Sequence, residues 1–119
     1  MNQIIYREVR NLNDTDVQMV RKAILSAIKS APNRCHGLAN AVEQILPVTR
    51  RDEAESTWSV YFKLTEGTRI RISDHSSGIW IGFHNRNNTS DQIELNATWP
   101  ASKLAVKLLS IKKCLEANA

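Results

Sequence analysis

TWSVYFKLTEGTRIRISDHSSGIWIGFHN, from Thr57 to Asn85, is the stretch that decides the fold, because it reads with a two-residue period almost throughout. Successive side chains of a strand point to opposite faces, so every second residue shares a surface. Trp58, Val60, Phe62 and Leu64 share one face of a first strand, and Ile70 and Ile72 occupy the same face of a second. Ile79, Ile81 and Phe83 continue it onto a third. The opposite face then carries Tyr61, Lys63, Arg69, Arg71, Trp80 and His84, which makes it the candidate binding surface.

Alternation also constrains the loops. Turning at Glu66-Gly67 alone would set Leu64 opposite Arg69, apolar against charged, which a half-buried sheet forbids. A loop of Thr65, Glu66 and Gly67 instead pairs Leu64 with Thr68, Phe62 with Ile70 and Val60 with Ile72. It also gives Gly67 the left-handed position that this loop class requires. For the next connection the expectation is a turn over Asp74 to Ser77, opened by the Asp74 carboxylate accepting backbone amides. Ser73 would then face Gly78, with Ile72 opposite Ile79 and Ile70 opposite Ile81. That register holds Arg71 between Tyr61 and Trp80, and Arg69 between Lys63 and Gly82.

Outward from this stretch, residues 3–10 (IIYREVRN) alternate loosely and read as a short first strand. Asn13 caps a helix with an acidic first turn, whose buried stripe is Val17, Val20, Ile24, Ala27 and Ile28. After the break at Ala31-Pro32-Asn33, a second helix runs from about Arg34 to Leu46 and Pro47 ends it. Thr49 to Ser56 is densely charged with both signs and reads as a solvated connection. Gln92 to Asn96 is a candidate edge strand with Ile93 and Leu95 inward. Thr98-Trp99-Pro100 opens a last helix, with Thr98 as cap and the stripe Leu104, Leu108, Ile111 and Leu115. The expected fold is therefore α+β, in the order β-α-α-β-β-β-(β)-α: an antiparallel meander with helices packed on one face.

Composition bounds the rest. A chain of 119 residues, 42% hydrophobic and 24% charged, suits one domain over residues 1–119. No apolar run approaches the ~20 residues of a membrane span. MNQIIYREVRN lacks the pattern of a signal peptide, so a cytoplasmic location is expected, with Cys35 and Cys114 as reduced, partly buried thiols. The net charge of +4 permits nucleic acid or an acidic protein as partner without demanding either. Pairing of the last helix with a second copy of the chain stays open.

Aromatics on a sheet can stack unpaired bases while Lys and Arg track phosphates. Trp, Tyr and Arg are equally the residues on which protein partners anchor. Against both stands a plainer account, in which these side chains cover a solvent-facing sheet and pack across strands. Lys63 opposite Arg69 is repulsive and calls for an offset from Glu66, another carboxylate or an anionic ligand. Catalysis has less support: Asp74-His75-Ser76-Ser77 reads as turn chemistry, and Cys35, His36, His75 and His84 lack metal-ligand spacing. With only four glycines and no phosphate-binding loop, no cofactor is expected.

The block Ile70-Arg71-Ile72-Ser73-Asp74-His75, preceded by Val60-Tyr61-Phe62-Lys63-Leu64 and a glycine turn, resembles a motif of small uncharacterised proteins from phages and other mobile genetic elements. The resemblance covers about a fifth of the chain. It implies a mobile-element or accessory-gene context and not an activity; small accessory proteins of that kind often act by binding host machinery, including restriction or CRISPR complexes. In topology alone, a strand, two helices and three strands are similar to the RelE/ParE toxin family, and Thr68-Arg69-Ile70-Arg71-Ile72 resembles its arginine-bearing central strand. That likeness implies action on RNA, the ribosome or gyrase. The chain departs from it at Ser76-Ser77-Gly78, where a second arginine is expected, and in its long last helix. The leading expectation is a non-enzymatic interaction protein that binds a host protein or nucleoprotein complex through the Tyr61-Arg71-Trp80 face. The alternatives are a toxin or ribonuclease, and a single-stranded nucleic-acid-binding domain.

Overall fold

Val60, Phe62, Ile70, Ile72, Ile79, Ile81 and Leu95 are each at most 1% exposed, so the face that alternation selects as apolar is the buried one. The computed structural model describes residues 6–31, 33–48, 50–53, 59–65, 68–75, 78–84, 90–96 and 98–117. Two helices come first, α1 (Asp14–Ser30) and α2 (Arg34–Ile45), then five strands. These are β1 (Arg50–Glu53), β2 (Ser59–Thr65), β3 (Thr68–His75), β4 (Gly78–His84) and β5 (Ser90–Leu95), and α3 (Ala101–Ala117) closes the chain. The strands form one antiparallel meander in the order β1-β2-β3-β4-β5. α2 lies on β2 and β3, and α1 packs against α2 and α3. All three helices share a single core with the apolar sheet face. This is the α+β arrangement that the sequence implies.

Helix starts follow local chemistry. Asn13 Oδ1 accepts the Thr15 amide at 2.8 Å, and Asn33 Oδ1 accepts that of His36 at 2.8 Å, each satisfying a donor the helix leaves orphaned. α3 begins later than Thr98. The Pro100 carbonyl accepts the Lys103 and Leu104 amides, while Thr98 binds back to Asn96 Oδ1 through its amide (2.9 Å) and hydroxyl (2.7 Å). Thr98 is thus the end of an Asx turn and not the cap.

Two further expectations are corrected. Tyr6–Arg10 forms no strand (residues 3–5 lie outside the described residues) but lies along α3. The Val9 amide donates to Ser110 Oγ at 2.9 Å and the Arg7 amide to Cys114 Sγ at 3.3 Å, so helix side chains take the donors that a sheet would have paired. Conversely, part of the charged segment after Thr49 is a strand. Arg51 pairs with Phe62, on the helix side of the sheet, where its guanidinium reaches Asn40 and Glu43 of α2 and lies 6.0 Å from the Phe62 ring. Polar pairing stands in for the apolar period a strand there would ordinarily show.

The register corrections matter most for function. Between β2 and β3, Val60–Ile72, Tyr61–Arg71, Phe62–Ile70 and Lys63–Arg69 pair as expected. The end differs: Thr65, not Leu64, faces Thr68, with an irregularity between Lys63 and Thr65 that absorbs one residue. Between β3 and β4 the pairing is displaced by two residues, to Ser73–Trp80, Ile72–Ile81, Arg71–Gly82 and Arg69–His84. Asp74 opens no turn. It continues β3 on the helix side, where Arg34 grips its carboxylate through Nε (2.9 and 3.1 Å) and a terminal nitrogen (2.6 Å). The same nitrogen also donates to the His75 carbonyl at 3.2 Å. Bonding to Asp74 raises the Arg34 pKa. β3 therefore runs to His75, paired with Gly78, whose φ of 148° suits a residue without a side chain.

Helix proximity rests on one glycine. A Cβ on Gly37 would stand 2.9 Å from Ile28 Cα, a backbone atom of α1 that cannot swing away. Glycine to alanine within a helix ordinarily gains about 1 kcal/mol, and overpacking of this kind costs about 1–3 kcal/mol. Gly37→Ala is therefore expected to lower the urea midpoint at unchanged m-value, with a net loss on the order of 1 kcal/mol. A raised midpoint would show that α1 and α2 do not approach this closely.

Candidate functional site on the open sheet face

The other face of the meander carries no helix among the described residues. Paired positions share a face, so the register arranges it in rows across the strands. One row runs Arg50, Lys63, Arg69, His84, Ser90; the next Asp52, Tyr61, Arg71, Gly82, Gln92; a third Ser59, Ser73, Trp80, Glu94. Lys63 and Arg69 are exposed, and Tyr61, Arg71 and Trp80 are half-buried.

The expected sandwich of Arg71 between two rings is not formed. Only Tyr61 lies beside it: the Arg71 guanidinium is 5.7 Å from that ring's centre and the Arg69 guanidinium 6.0 Å. Trp80 stands one row further on, opposite Ser73. One Arg71 terminal nitrogen reaches Ser59 Oγ at 3.4 Å, and its buried Nε has no hydrogen-bond partner among the described residues. No carboxylate pairs with Arg69 or Arg71 among the described residues. Contacts of guanidinium with an aromatic face contribute about 0.5–1 kcal/mol at exposed sites. They hold the side chains in place without neutralising them.

Sequence reasoning missed Ser59, Ser73 and His75 as members of this face. Ser73 Oγ and His75 Nε2 are 3.0 Å apart, neighbours on one side of β3. Parity with Tyr61 for Ser59, and with Arg69 and Arg71 for Ser73 and His75, is the signal in the sequence, and the expected turn over Asp74 to Ser77 removes only His75 from it. The remaining chemistry-bearing residues are dispersed. Cys35 Sγ lies 3.9 Å from the Ile72 carbonyl on the far side of the sheet, and His36 Nδ1 is 3.0 Å from Asn33 Oδ1. No group of three or more His, Cys, Asp or Glu residues gathers as metal ligands among the described residues. Both cysteines are free thiols. No helix is long and apolar enough to cross a membrane among the described residues. Comparison with protein-family models, curated proteins and solved structures finds no match for the chain.

Two buried groups beneath this architecture give it a pH signature. Burial first, and the Asp74 charge second, pushes the Cys35 thiol up to about 11. Burial against α3 likewise pushes the Tyr6 phenol up to about 12. Each group holds its proton more tightly folded than unfolded, so its contribution to stability is complete below the unfolded value and is lost as pH rises through the folded one. The expected outcome is a melting temperature that declines from about pH 9 towards 12, less steeply between 9 and 11 in Cys35→Ala. A level profile across that range would contradict the burial of both groups.

Proposed function

We propose that this is a small, non-enzymatic interaction protein that uses the open sheet face to bind a host protein or nucleoprotein complex. The observation that carries the reading is the pair of guanidiniums, Arg69 and Arg71, both within 6.0 Å of the Tyr61 ring and without a carboxylate partner among the described residues. Half-exposed Trp80 stands one row away on the neighbouring strand. Side chains of these types, held by a rigid sheet, lose little conformational freedom on binding, and Tyr, Trp and Arg are the common anchors of interfaces. A cytoplasmic setting, and an anti-defence or regulatory role in a phage or other mobile element, belong to the same proposal. The mobile-element context rests on the sequence block Ile70 to His75.

The Trp80→Ala, Arg71→Glu double variant is expected to keep a cooperative melting transition, several degrees below that of the parent, and to lose capture of its partner from host lysate. Equal capture by parent and variant would remove this face from the function.

A further inference from the structure

Resting on the assignment of the open face as the binding surface, we infer that its ligand is a single-stranded nucleic acid, bound by phosphates at Arg69 and Arg71 and by base stacking on Trp80. Three features of the face lead there. Among the described residues it presents Tyr61 and Trp80 as its only carbon-rich side chains, with no Val, Ile, Leu or Met. Between the rings lie Ser59 and Ser73, each only 7% exposed, and the buried Gly82, so the exposed part of the face is mainly cationic and aromatic.

The cations are the second feature. Arg69 and Arg71 lie two residues apart on β3, about 6.7 Å along the strand. Neither is neutralised by a carboxylate among the described residues. The guanidiniums lie 6.0 and 5.7 Å from the Tyr61 ring centre, and planar groups of this kind are the usual partners of phosphate oxygens. The third is Trp80, which has no cation over its ring among the described residues, unlike Tyr61 and Trp99. It is half-buried beside Glu94, and stacking of a base on its exposed part would tolerate any sequence.

Shape separates single strands from duplex. Five strands at about 4.8 Å spacing make a platform about 19 Å wide, whereas the major groove of B-DNA is about 12 Å across. A flexible strand can lie along the platform with its bases unstacked, whereas the platform is too wide to enter the major groove of a duplex.

The test is fluorescence anisotropy with labelled twelve-nucleotide oligo(U) and oligo(dT), a matched duplex and poly-glutamate, for the parent, Trp80→Ala and Arg71→Gln. Circular dichroism and thermal melts confirm that each variant is folded. Expected are binding of the single strands in preference to duplex and polypeptide, and a loss of about 5- to 150-fold in Trp80→Ala. The slope of log affinity against log salt should become shallower by about 0.7 in Arg71→Gln. Poly-glutamate binding as tightly as the oligonucleotides, or single-strand affinity unchanged in both variants, overturns the inference. Face-dependent capture from lysate that survives nuclease, with no oligonucleotide binding, overturns it while leaving the interaction reading in place. Loss of face-dependent capture altogether overturns both.

Discussion

The Asp74 carboxylate is only 7% exposed, and a charge that far from water requires a partner in good geometry. Arg34, the first residue of α2, supplies it through a bidentate grip. This contact joins the start of a helix to the end of a strand, and the geometry of the opposite face follows from it. With Asp74 engaged on the helix side, β3 continues to His75, and β4 begins at Gly78. Trp80 then falls opposite Ser73, and Gly82 opposite Arg71. The spacing between cation and indole on the open face is thus fixed by an ion pair on the covered one.

How much of this was legible in the chain depends on the kind of information each feature needs. The assignment of Val60, Phe62, Ile70, Ile72, Ile79 and Ile81 to one face required only parity, and each is buried. Tyr61, Lys63, Arg69, Arg71 and Trp80 followed from the same rule on the other face. Parity is blind, however, to a displacement by two residues: Ile72 meets an isoleucine whether the partner is Ile79 or Ile81, so both registers satisfy the hydrophobic pattern equally. What distinguishes them is the contact between Arg34 and Asp74, forty positions apart, which no local pattern encodes.

The same limit explains the ends of the sheet. Tyr6–Val9 has strand-like composition, yet its amides find Ser110 and Cys114 on α3. Arg50–Glu53 has the composition of a solvated loop, yet it pairs with β2 because Arg51 reaches α2 with its own polar partners. In both segments backbone and side-chain donors are satisfied by distant groups, and satisfaction of buried donors outweighs local propensity.

Among the described residues, cations and aromatics gather both on α3 and on the open sheet face, and the difference between the two is what supports the proposed binding surface. On α3, Lys107 lies 5.3 Å from the Tyr6 ring and 5.8 Å from that of Trp99, with Glu8 at 3.5 Å from its ammonium. Lys103 covers Trp99 at 4.2 Å. There the rings are covered, Lys107 has a carboxylate, and the assembly holds the amino-terminal segment against the helix. On the sheet face the same residue classes are left incomplete: Arg69 and Arg71 share one ring and no acid among the described residues, and Trp80 has no cation over it. Charge that is balanced within the fold holds the fold together. On the proposed reading, charge that the sheet presents with no carboxylate partner among the described residues is left for a ligand to neutralise.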